Sequence, residues 1–247
     1  VAVVAGAWGQ ASDGAVAASE PIISPALALA LEWYARPAEQ VAIDLLGCLL
    51  VTAIGGCVTA GWIVEAEAYG GPEDPASHAS CRRNGLVQAM WGPPGHAYIY
   101  RAYGVFPCFN VVTGLPGEAS AVLVRAIEPV VGVAEMARRR GVPAGPRIAA
   151  GPGKLGRALG LSIEQNGLPL DRPPVWIQPG RPVEQIDCGR RVGVRRGADR
   201  PWRFGIAGHP GSLAAISRRH ATAPGTCYQV ILEGFCRREA LRQFPLR

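Results

Sequence analysis

Cys57-Val58-Thr59-Ala60-Gly61-Trp62-Ile63-Val64-Glu65-Ala66-Glu67-Ala68-Tyr69 is the stretch on which the fold turns. It has no proline, and apolar residues recur at every second position through Val58, Ala60, Trp62, Val64, Ala66 and Ala68. Side chains of a strand alternate between its two faces, so this spacing predicts one apolar face, with Glu65, Glu67 and Tyr69 together on the other. Gly55-Gly56 ahead of it is a tight-turn signal, which makes Cys48–Ile54 the partner strand of a hairpin. Behind it, Gly70-Gly71-Pro72-Glu73-Asp74-Pro75 reads as loop. Two carboxylates and a phenol therefore emerge where a strand opens into a loop. On spacing alone, Glu65 belongs to a solvated outer face.

Working outward, the chain predicts a helix over 27–35 and a second over Ala38–Leu46, entered through Pro37 and closed by Gly47. Residues 76–95 read as irregular. Ala97–Ala102 and Phe106–Thr113 form a second hairpin with Tyr103-Gly104 at its bend, and Ser120–Ile127 is a further apolar strand. Val130–Arg140 and Pro152–Leu159 read as helices, and Val175–Gln178, Arg191–Arg195 and Arg203–Ala207 as strands. Hairpins and helices mix without regular strand–helix–strand alternation. That predicts an α+β fold, a single domain with a largely antiparallel sheet. The division expected is an unstructured extension at 1–26, the domain at 27–219 and a tail of weaker pattern at 220–247.

Arg125 lies inside Ala121-Val122-Leu123-Val124-Arg125-Ala126-Ile127. An arginine in so apolar a strand needs a carboxylate or a phosphate, because an unpaired buried charge is very costly. Set beside Glu67, it would favour the ionised glutamate that a general base requires. Four of the six tyrosines fall between residues 69 and 103. Tyr98 and Tyr100 share a strand face, and Tyr103 sits at an exposed bend, where a ring gains little from packing within its own domain. Such a ring suits a wedge pushed into a base stack.

The ordered motifs Ile63-Val64-Glu65-Ala66-Glu67-Ala68-Tyr69, Gly71-Pro72-Glu73-Asp74, Ser77-His78, Gly92-Pro93-Pro94-Gly95 and Tyr98-Ile99-Tyr100 with Tyr103-Gly104, Cys108 and Asn110 resemble the 3-methyladenine (alkylpurine) DNA glycosylase family. Arg125-Ala126-Ile127-Glu128-Pro129, Ala150-Gly151-Pro152-Gly153-Lys154-Leu155 and Pro201-Trp202-Arg203-Phe204 continue the likeness, which covers roughly residues 28–215. The resemblance implies a curved sheet with flanking helices and a protruding hairpin that inserts into double-stranded DNA. It implies that Glu67 activates the attacking water with Arg125 placing it. Tyr69 and His78 would stack on one side of a flipped purine and Tyr100 on the other, Asn110 would discriminate against normal purines, and Tyr103 would fill the gap left in the duplex. Met90 matches a position whose backbone lies near the minor groove, and Lys154 is placed to meet a phosphate. One departure stands out: Arg83-Asn84 comes six residues before Met90 instead of three, so the loop beside the pocket is recut.

The charge balance fits a polyanionic partner. The chain carries +6 overall, with −3 on residues 1–40 and +9 on the other 207. Lys154 is the only lysine against 24 arginines, and it stands far along the chain from Glu67. A lyase mechanism needs an amine nucleophile, so a monofunctional enzyme is the expectation. Gly153-Lys154 fails as a phosphate loop because position 148 is isoleucine and 155 is leucine. The seven cysteines include no C-x-x-C pair and the four histidines no H-E-x-x-H, so no metal or other cofactor is expected and the thiols read as reduced. With no apolar run of about 18 residues and no basic leader to the Ala/Val-rich start, a monomer in the cytoplasm, associated with the nucleoid, is the expectation. Two other classes remain open on residues alone. A damage-binding module would not need Glu67, and a hydrolase of free nucleosides would not need Tyr103.

Overall fold

The computed structural model describes residues 21–212. Residues 1–20 of the extension expected at 1–26, and the tail at 220–247, lie outside them; residues 21–26 are described, and Gln178 donates to the Ile22 carbonyl there. Among the described residues nine strands form a single antiparallel sheet: β1 (Leu49–Ile54), β2 (Cys57–Tyr69), β3 (Ala97–Ala102), β4 (Phe106–Thr113), β5 (Ser120–Val131), β6 (Asp171–Arg172), β7 (Val175–Gln178), β8 (Ile186–Gly189) and β9 (Arg203–Ile206). The order is β3-β4-β5-β2-β1-β7-β6, with β9 joining the end of β2 and β8 joining β9. Among the described residues three short α-helices flank this curved sheet: α1 (Ala38–Asp44), α2 (Val133–Arg140) and α3 (Pro152–Ala158). Among the described residues no helix is long and apolar enough to cross a membrane.

One face of the sheet carries the main core. Val41 of α1 and Leu45 just after it, Met136 of α2 and Leu155 of α3 pack there on Ile63, Ala66 and Ala68 of β2, Phe109 and Val111 of β4, and Val122 and Val124 of β5. The strict alternation expected along β2 does not hold. Ala60, with Val58 and Trp62, packs on the opposite face with Leu49, Val51 and Trp176. The register explains the switch. Ile63 pairs with Ile127 but Glu65 with Ala126, so β2 has an extra residue at Val64; Glu65 then pairs with Ala126 but Ala66 with Val124, so β5 has an extra residue at Arg125. One inserted residue exchanges every face beyond it. The paired bulges turn the second half of β2 so that Ala66 and Ala68 face the core while Glu65, Glu67 and Tyr69 face away.

Other boundaries also moved. The helix expected at 27–35 is two 3-10 turns, Pro25–Leu27 and Leu31–Tyr34, the first capped by the Ser24 hydroxyl. β5 runs on to Val131, and α2 starts only after Gly132, which has a positive φ of 69°. Residues 76–95, expected to be irregular, contain the 3-10 segments His78–Ser80 and Gly85–Trp91. The strand expected at Arg191–Arg195 is absent, and the strand of that region is β8.

Candidate active site

The face of the sheet turned away from the main core gathers residues from four adjacent strands. Tyr98 pairs with Asn110 and Tyr100 with Cys108 across β3 and β4, and Asn110 pairs with Leu123 of β5. Leu123 pairs in turn with Glu67 of β2. Above this floor lies a cavity of about 580 Å³. Its walls are His78 and Met90 on one side, the end of the β3–β4 hairpin with Pro152 on another, and Val192–Arg196 on a third. Tyr69, Tyr98, Tyr100 and Arg125 also line it.

Glu67 lies beneath this cavity and is fully buried. Its Oε2 accepts a hydrogen bond from the Tyr69 hydroxyl at 2.8 Å and lies 3.2 Å from Arg125 Nη1; its Oε1 accepts the Val192 N–H at 2.7 Å. Arg125 also donates from Nε to Glu65 at 2.7 Å, so one guanidinium joins the two carboxylates. Burial acts to lower the Arg125 pKa, but Glu67 and Glu65 outweigh it and raise it above the ordinary value. Burial, with Glu67 beside it, pushes the Tyr69 phenol well above its usual range, so the hydroxyl keeps the proton it donates.

Glu65 is not on a solvated face. It is fully buried and accepts from Arg203 Nε at 2.8 Å and the Ser212 hydroxyl at 3.0 Å as well as from Arg125. Spacing alone could not find this pairing, because Arg203 reaches β2 through β9, 138 residues away in sequence.

His78 shares a 2.7 Å hydrogen bond with the Tyr98 hydroxyl through Nδ1. Burial, with help from the charge of Arg82, lowers its pKa, so the ring is neutral near pH 7. Its ring meets Tyr100 edge-on at 4.5 Å between centroids. His78 and Tyr100 thus touch in this state instead of standing on opposite sides of a slot. Asn110 is buried, and its amide donates to the carbonyls of Tyr98 (2.9 Å) and Cys108 (3.2 Å), which fixes its orientation. Met90 is buried with Val87 and Tyr98, so its side chain lines the cavity and does not meet solvent.

Tyr103 is 95% exposed with φ at 52°. Gly104 follows at 73°, and the bend is closed by Val105 N–H to Ala102 O at 3.1 Å. Val105 and Phe106 beside it are also exposed. Lys154 is exposed on α3. Its helix is distant from Glu67 in sequence but adjacent to the site in space, since Pro152 lines the cavity. The recut loop is ordered: Arg83 stacks on Trp91 at 4.2 Å, and Asn166 donates to the Leu86 carbonyl at 3.3 Å.

Sequence reading missed the Val192–Arg196 wall. The alternation Arg191-Val192-Gly193-Val194-Arg195 imitates a strand, whereas the Arg191 side chain turns inward. Its Nη1 and Nη2 meet Asp74 at 2.5 and 2.9 Å, Nη1 meets Ala68 O at 3.0 Å, and Nη2 meets Gly197 O at 2.9 Å. Burial acts to raise the Asp74 pKa, but Arg191 and the Gly70 and Ala76 amides overcome it and hold the carboxyl below its ordinary value. Cys48, Cys57, Cys81 and Cys108 are free.

The profile of the family described as methylpurine-DNA glycosylase matches residues 32–210, which contain every candidate residue above. A protein of Rhodopseudomonas palustris (strain HaA2) named "Putative 3-methyladenine DNA glycosylase" is 46% identical over 177 residues, 71% of this chain and 85% of its own. Proteins of the same name from Rhizobium etli and Nitrosospira multiformis are 48% and 42% identical over 180 and 178 residues. These alignments cover 71% and 72% of this chain and 84% and 89% of the relatives. With the profile spanning most of the chain and such relatives matched over most of their length, the chain belongs to the methylpurine-DNA glycosylase family.

Proposed function

We propose that this protein is a monofunctional DNA glycosylase that flips alkylated or deaminated purines out of duplex DNA and hydrolyses the N-glycosidic bond, leaving an abasic site. The observation that carries the reading is Glu67, buried under an aromatic-walled cavity and held by Tyr69, Arg125 and the Val192 amide. A carboxylate has roughly four lone-pair positions. Three donors occupy three of them, which leaves about one for a water held at the cavity floor.

In the step proposed, Glu67 takes a proton from that water and the oxygen forms a bond to the sugar's anomeric carbon. The bond from that carbon to the purine nitrogen breaks, its electron pair leaving with the base. An alkylated purine is already cationic and departs neutral; hypoxanthine must also gain a proton. Tyr69, His78 and Tyr100 supply flat surfaces for the extruded base, for which His78 and Tyr100 must part. The fixed amide of Asn110 restricts exocyclic groups, and Tyr103 enters the stack it leaves. Exposed Arg195, Arg196 and Lys154 grip phosphates without reading sequence. The Met90 side chain supports the cavity, so any DNA contact there is made by backbone. The protein acts on DNA as a monomer at the nucleoid in this reading.

The test is base release from a duplex with a single hypoxanthine or ethenoadenine, and from methylated DNA, by wild type and Glu67→Gln. Expected are release by wild type, an alkali-labile but uncut strand, and a Glu67→Gln rate on the neutral lesion at least about a hundredfold lower. Binding of lesion duplexes with no release by wild type would replace this reading with a damage-binding module.

A further inference from the structure

Val192 gives Glu67 one of its donors, yet it lies in a segment with no regular secondary structure, and the residue is 47% exposed. Something else must hold that amide in place. The neighbouring Arg191 is the only part of this wall sunk into the protein, with its side chain at 0% exposure against Asp74 at 0%. Its guanidinium lies 4.8 Å from the Tyr69 ring centroid and 5.4 Å from that of Trp202. Through Gly197 O it holds the far end of the same wall, and through Ala68 O it holds the edge of β2 one residue from Glu67.

Asp74 completes the connection. Its Oδ2 accepts from the Gly70 amide at 3.0 Å and its Oδ1 from the Ala76 amide at 3.2 Å. The loop it organises supplies Pro75 and Ala76 to the cavity and leads directly to His78. One ion pair therefore joins two walls that are 117 residues apart in sequence.

We propose that Asp74 and Arg191 are positioning residues for base excision: their buried ion pair fixes the Val192 N–H against Glu67 and locks the two loops that wall the cavity. The proposal rests on the glycosylase reading. Neither residue reaches the cavity itself, and both act through Val192 and the loop before His78.

Removing one partner would strand the other charge in the interior, so a single variant risks unfolding. The test uses Asp74→Asn/Arg191→Met, which removes both charges together and leaves the asparagine oxygen an acceptor for one of the two loop amides. Three quantities are measured beside wild type: the thermal midpoint, single-turnover release at saturating enzyme, and the Kd for duplex with a tetrahydrofuran abasic analogue. Expected are a folded variant, release at least tenfold slower, and a Kd within threefold of wild type. Amide hydrogen exchange at Val192 gives a readout independent of activity and is expected to be at least tenfold faster in the variant. Wild-type release rate together with unchanged Val192 exchange in a folded variant would overturn the proposal. So would a loss of rate matched by an equal loss of binding. An unfolded double variant would overturn it too, because the pair would then be a requirement of the fold. Absence of release by wild type would instead overturn the glycosylase reading, and Val192 exchange would still decide whether the pair positions that amide.

Discussion

At the scale of single residues, Tyr103 separates stability from function. Its φ of 52° is one that a bulky side chain adopts only under strain, and its ring is 95% exposed. Tyr103→Gly relieves the strain but lengthens the list of unfolded conformations, and the two effects are each about 1 kcal/mol. The variant should be as stable as wild type within about 1 kcal/mol by urea denaturation, while losing lesion affinity. A large loss of stability would mean the tyrosine is held for folding and not for DNA. Glu65 is the opposite case. It lies below the site, and Glu65→Ala takes a buried carboxylate from both Arg125 and Arg203. Breaking a buried pair from one side costs about 3–5 kcal/mol. Urea denaturation should show a loss of that order, and a loss under about 1 kcal/mol would show that water or another partner replaces the carboxylate readily.

At the scale of elements, α3 determines how closely the outer rim approaches the hairpin. Gly156 lies against the carbonyl of Pro107 on β4, so closely that a Cβ would collide with backbone. Helix propensity alone favours Gly156→Ala by about 1 kcal/mol. The collision outweighs it, since forced overpacking costs about 1–3 kcal/mol and neither partner is a flexible side chain. The variant should therefore be destabilised, and it should shift Pro152 at the cavity rim; a gain in stability would show that α3 can move away freely. The same elements show what the sequence made legible. The two hairpins, α1 and α3 were readable to within a residue or two, because turn signals and period coincide there. The faces of β2 were not, because Ile63-Val64-Glu65-Ala66 contains no glycine or proline to mark the bulge. The bulge is made by two strands together, Val64 on β2 and Arg125 on β5, and only their pairing reveals it. Arg191–Arg195 failed for a related reason: alternating residues look alike in a strand and in a wall whose arginine is anchored to Asp74. Glu67, Arg125 and the tyrosines were legible because a charge or a cluster of rings in an apolar context is conspicuous without knowing the register.

At the scale of the whole molecule, the charges divide into two populations that should respond differently to salt. Glu65, Glu67 and Arg125 are buried within a few ångströms of one another, and screening reaches such groups weakly. Arg82, Arg101, Lys154, Arg195 and Arg196 are exposed, and among the described residues none of them forms an ion pair. Arg195 and Arg196 line the cavity, and the other three stand within two residues of ones that do. If each of the five meets one phosphate, counterion release gives a slope of about −4.5 in log K against log salt. Affinity for a lesion duplex should then fall about five-hundredfold from 50 to 200 mM salt. The single-turnover rate with all DNA bound should stay within about twofold over the same range, because the buried ion pairs around Glu67 lie out of reach of the added ions. Titrating binding and release in parallel tests both halves. A rate that falls along with affinity would place the charges around Glu67 in contact with solvent during the reaction. A slope shallower than about −1 would mean that the arginines around the mouth do not hold the backbone, and that the aromatic cavity and the Tyr103 hairpin carry recognition by themselves.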